Sequence, residues 1–114
     1  MEDSILISIK SLLGPDADYD VFDTDIIIFI NSAIATLTQL GVGPSNGFRI
    51  TGESETWSQF IGDRMDLDSV KSYIYMKVKI AFDPPVNGSV LDAYEKMCEE
   101  YEWRLNVAVD PEKG

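Results

Sequence analysis

Five aspartates crowd one short stretch: Asp16, Asp18, Asp20, Asp23 and Asp25. Carboxylates on alternate residues are the pattern of calcium loops, which take ligands from loop positions 1, 3 and 5. Counted from Asp16, those positions hold Asp16, Asp18 and Asp20. The two most demanding positions fail. Val21 stands where the sharp turn needs glycine, and Ile27 where the bidentate glutamate belongs. The stretch therefore reads as a solvated acidic loop, with Asp23 or Thr24 capping the helix that follows. Negative charge there suits the helix dipole.

Other reactive groups are scarcer. The chain has no histidine, which removes Ser-His and Cys-His pairs, imidazole metal ligands and the usual general base. Cys98 is the only cysteine, so no disulfide forms within the chain. It falls in an apolar stripe, where a small buried hydrophobe is expected rather than a nucleophile. The turn-rich run Gly41-Val42-Gly43-Pro44-Ser45-Asn46-Gly47 lacks the lysine and hydroxyl residue that complete a phosphate loop. No catalytic, cofactor-binding or metal-binding residues are expected, and the chain is read as not an enzyme.

Composition narrows the partners. A formal charge of −11 over 114 residues opposes general nucleic-acid binding, which needs cations to displace counterions from phosphate. It equally opposes anionic membranes. The start, Met1-Glu2-Asp3, lacks a signal peptide's basic region, and no apolar run reaches transmembrane length. A protein kept in a reducing cytoplasm is expected.

The elements that position these residues follow from apolar spacing. Val70, Ile74, Val78 and Ala81 share one face of a helix over Asp68–Phe82, and Tyr73, Met76 and Ile80 make a second apolar line beside it. A helix apolar on two sides is usually clamped between neighbours. Asp83-Pro84-Pro85 stops it. Lys71, Lys77 and Lys79 on this helix suggest that something acidic packs against it. A first helix carries Ile5, Leu6, Ile9, Leu12 and Leu13, capped by Asp3 or Ser4 and ended by Gly14-Pro15. A second runs from about Asp25 to Leu40 with Ile26, Ile30, Ala33, Ile34, Leu37 and Leu40 inward. Asn31, Thr38, Gln39 and Ile28 point away from that stripe. A short helix with Trp57, Phe60 and Ile61 is capped by Ser54 or Thr56. The last helix begins with an N-cap after the Asn87-Gly88-Ser89 turn, and its stripe is Leu91, Tyr94, Cys98, Tyr101 and Leu105.

The sum is an all-α fold, a small bundle of four to five helices with an irregular middle segment from Val42 to Asp66. Residues 1–106 form one domain and 107–114 a C-terminal tail. Trp103 lies on the acidic side of the last helix, away from its stripe, and an exposed tryptophan asks for a cover. The candidate partner contacts are Tyr73, Met76, Lys77, Ile80, Glu99, Trp103 and Arg104. Core packing within the chain is the alternative for the Tyr73–Met76–Ile80 line. The lysines and the last helix's acids can pair between copies or within one.

Several short matches occur in order along the chain. They are Leu40-Gly41-Val42-Gly43, the Trp57 segment, Ala81-Phe82-Asp83-Pro84-Pro85 and Glu102-Trp103-Arg104-Leu105-Asn106. Together they resemble the head–tail connector proteins of tailed bacteriophages and prophages, also called adaptor or head-completion proteins. The resemblance spans about Ser4 to Pro111. It implies a helical subunit of a ring, commonly twelve-fold, that docks on the portal protein after DNA packaging. The ring would extend the DNA channel and seat a downstream neck, stopper or tail-completion protein. DNA would pass through it without specific binding. The resemblance implies a place in the virion neck, reached from the host cytoplasm during assembly. By the same likeness, Trp103 to Pro111 is where the portal contact is expected, and Val42 to Asp66 the downstream contact. The competing expectation is an acidic module that mimics DNA and occupies a DNA-binding protein, but no regular acidic repeat supports it.

Overall fold

The computed structural model describes residues 4–14, 20–44, 46–62 and 67–109. Five α-helices account for most of them: α1 (Ile5–Leu13), α2 (Asp23–Gln39), α3 (Trp57–Ile61), α4 (Leu67–Phe82) and α5 (Gly88–Val109). The fold is a small all-α bundle. Its buried apolar side chains form one continuous cluster.

Helix α4 lies at the centre, packed on α1, α2 and α5. Val70, Tyr73, Ile74 and Val78 are fully buried and Met76 nearly so, as expected for a helix apolar on two sides. The first apolar line ends one step early, because Ala81 is exposed. Its lysines correct the sequence reading in part. Lys71 sits over the ring of Trp57, 5.7 Å from the centroid, so an aromatic face rather than an acid meets it. Lys79 bonds Asp83 at the end of its own helix, at 3.1 Å. Only Lys77 faces the acids of α5.

Ser4 caps α1, its hydroxyl accepting from the Ile7 N–H. Leu12 stays exposed despite its place in the stripe. The start of α2 differs from expectation. A 3-10 turn, Asp20–Phe22, leads in; the helix begins at Asp23 rather than Asp25, and no side chain caps it. Asp23 is engaged elsewhere: a carboxylate oxygen lies 2.7 Å from Nζ of Lys10, a lysine buried in α1. The far end of α2 closes as a Schellman turn. Gly41, at φ 94°, donates to the Thr38 carbonyl, and the Val42 N–H reaches back to Leu37 at 2.9 Å. Val42 and Leu37 are both buried there.

The middle segment is irregular but tied down. The side chain of Asn31 bonds both backbone groups of Ile50, donating at 2.9 Å and accepting at 2.7 Å. Thr56 and Gln59 form a reciprocal capping box for α3. Trp57 is buried, and its indole N–H donates to Ser8 Oγ at 3.1 Å. The Ile5 N–H donates to the Glu55 carbonyl.

The N-cap of α5 lies within the turn rather than after it: Asn87 accepts from the N–H groups of Ser89 and Val90. The helix continues past Asn106 to Val109. Near that end the Asn106 amide donates to the Leu40 carbonyl at 3.0 Å.

Candidate functional site

Helix α5 packs along α4 but shares little with α2 beyond its C-terminal end. The space left between the three helices is a groove of about 600 Å³. Phe29, Ala33 and Ile80 give it an apolar floor, and Lys77, Glu95, Glu99 and Glu102 give it charge. The α2 side of the groove carries the small side chains Ser32, Ala33 and Thr36 beside Phe29.

Cys98 lines this groove yet is only 4% exposed. Burial pushes its thiol up; Lys77 opposes that, while Glu102, Glu95 and Glu99 add to it. A thiol held protonated in this way is a packing group. The phenol of Tyr73 donates to Glu102 Oε2 at 2.7 Å. Burial first, then the neighbouring carboxylate, pushes it far above the ordinary range. Among the described residues, no group of three or more histidines, cysteines or carboxylates is placed to hold a metal ion. Asp16 and Asp18, on which the calcium-loop pattern rested, lie outside the described residues.

The expected contact residues separate into three groups. Lys77, Ile80 and Glu99 come together in the groove. Trp103 and Arg104 lie on the outer side of α5, where Trp103 is 68% exposed and Arg104 pairs with Glu100. Tyr73 and Met76 lie inside the subunit. Core packing took that line of α4, because α5 covers it; Met76 sits among Tyr75, Tyr94, Met97 and Tyr101.

Met97 and Val107 are also exposed on α5. Val107, one turn on from Trp103, shares the side of the helix turned from the core, while Met97 lies at its edge beside Met76. Their positions follow from the helical period: at about 100° per residue, Trp103 points nearly opposite to Cys98 and Leu105. Sequence reasoning located Trp103 by that argument. It missed Asn31 and Lys10. Lys10 left a faint signal, being the one charge in an apolar helix followed by an aspartate run. Asn31 left none, since its partner is a backbone segment 19 residues away.

The arrangement is that of a small helical domain with two unlike surfaces, a charged groove and an outer helix face carrying exposed apolar side chains. The family model described as phage connector protein matches residues 5–112, and the chain belongs to that family. No curated protein and no solved structure matches it. Membership assigns the chain a connector role in the phage neck, in contact with other virion proteins.

Proposed function

We propose that this chain is the repeating subunit of a ring that docks on the portal after DNA packaging, extends the DNA channel and seats the next neck or tail protein. Family membership supports the setting. The observation that carries the reading is Trp103: a tryptophan 68% exposed on a subunit whose core closes without it. Large aromatic side chains left uncovered beside charge are the usual anchors of protein interfaces. Val107 and the Arg104–Glu100 pair flank it on the same helix, giving an apolar centre with a polar rim. The outer face of α5 is therefore the surface offered to the portal.

The acidic balance fits a channel component. Surplus carboxylate near a lumen repels DNA phosphates and lets the duplex slide. Exposed ion pairs contribute only about 0–1 kcal/mol each, so apolar contacts must hold the ring.

The test is assembly. The purified chain is mixed with portal-bearing particles of its own phage and examined by electron microscopy and native mass spectrometry. A ring of defined stoichiometry on the particles is expected, while the free chain stays monomeric or weakly associated. The Trp103→Ala variant should keep its melting temperature and lose docking. A wild-type chain that never binds the particles would refute the proposal; a Trp103→Ala variant that unfolds would refute the assignment of this face.

A further inference from the structure

Resting on the ring proposed above, we infer that the groove between α2, α4 and α5 receives the Arg49 loop of a neighbouring copy of this chain. A head-to-tail ring needs two different, complementary surfaces on opposite sides of each subunit. The groove and the Arg49 loop meet that condition. Side chains advance by about 100° per residue around a helix, so Phe29, Ala33 and Thr36 face the groove while Asn31 points nearly the opposite way. Asn31 is the residue that holds Ile50, next to Arg49, through two hydrogen bonds. The loop therefore lies across α2 from the groove.

Charge selects the occupant. The groove carries three carboxylates, Glu95, Glu99 and Glu102, against one ammonium, Lys77. Its occupant should bring positive charge on a narrow projection. Among the described residues, Arg49 is the one cation outside the helices; it is exposed and makes no ion pair. Lys10, Lys79 and Arg104 are paired within the chain, and Lys71 lies over Trp57. Lys96 is exposed and, among the described residues, without an ion pair, but it is fixed on α5, the helix that carries the groove's carboxylates.

The loop is also prepared for insertion. Phe48 stacks on Phe60 at 5.2 Å, and Gly47 closes a turn onto the Pro44 carbonyl at 3.0 Å. A segment already held in one shape loses little entropy on docking. Two subunits of charge −11 repel over most of their surfaces, so one complementary contact also sets the register between copies.

Disulfide trapping and charge exchange on portal-bearing particles test the contact. In a Cys98→Ser background, Arg49→Cys and Glu99→Cys are combined in one chain, and docked rings are oxidised. A ladder of linked copies that forms only on the particles is expected. Arg49→Glu should lower ring occupancy by about tenfold, and adding Glu99→Arg should restore most of it, the size expected for one interfacial charge pair. Arg49→Gln replaces the reversal if the melting temperature falls. Rings that dock but give no ladder, or Arg49→Glu rings that form as the wild type does, overturn the contact and leave the connector function standing. Links from Glu99→Cys to the portal or to a downstream neck protein overturn it equally, by giving the groove another occupant. A wild-type chain that never docks sinks both.

Discussion

The two tryptophans sit in regions of opposite character. Trp57 belongs to the irregular middle of the chain, yet it is only 2% exposed, hydrogen-bonded to Ser8 and covered by Lys71. Trp103 belongs to the longest helix and is 68% exposed. Around Trp57, polar groups that a helix would have satisfied are answered by specific partners: Asn31 for Ile50, Gln59 for Thr56, Glu55 for Ile5. Around Trp103 the backbone is satisfied by the helix itself, which leaves its side chains free to face outward. Regular backbone is thus no sign of a sealed surface, and irregular backbone no sign of an available one. Loop segments must pair their buried polar groups by design, and that pairing stiffens them.

Substitutions sharpen this contrast in order of size. Trp57→Ala should cost about 3–5 kcal/mol in urea denaturation, the usual range for truncating a buried aromatic. A loss below about 1 kcal/mol would mean that the middle segment is merely draped over the bundle. Gly43→Ala should cost about 2–3 kcal/mol. Its φ is +86°, and an added Cβ would fall 2.5 Å from Cε1 of Phe60. Asn31→Ala should cost about 1–3 kcal/mol, because it strands both backbone groups of Ile50 without replacing them. Hydrogen exchange at the Ile50 amide should then accelerate before the amides of α2 do.

Tyr73→Phe tests the wall of the groove. It should cost about 1 kcal/mol near neutral pH by removing the bond to Glu102. The folded phenol ionises far above its unfolded value. Its contribution is therefore present below about pH 10, the unfolded pKa, and is lost as pH rises beyond that. The wild type should destabilise there, and Tyr73→Phe should decline less steeply. Smallest of all, Trp103→Ala should change folding stability by no more than about 0.5 kcal/mol. A large loss would erase the contrast between the two tryptophans.

Much of this was legible beforehand because apolar period reports which residues share a face. The period located α1, α2, α4 and α5 to within a few residues, and Gly41 and the Asp83-Pro84-Pro85 run marked two helix ends. Period does not report what covers a face. Tyr73 and Met76 were therefore equally suited to the core and to a partner, and only the packing of α5 decided between them. Caps were legible by type and not always by position. Asp23 is a fine N-cap residue, but a buried ammonium on α1 claimed it. The groove was invisible for a related reason. It arises from a gap between α2 and α5, and gaps follow from how rods lean, which no local pattern encodes.

The Asn106 amide is joined to the Leu40 carbonyl, one residue before the turn that leads through Gly43 toward Arg49. That bond is a mechanical coupling. It ties the last turns of the longest helix to the root of the loop, alongside the close-packed apolar interior. In the proposed ring, a partner holding α5 would therefore also bear on the root of the Arg49 loop.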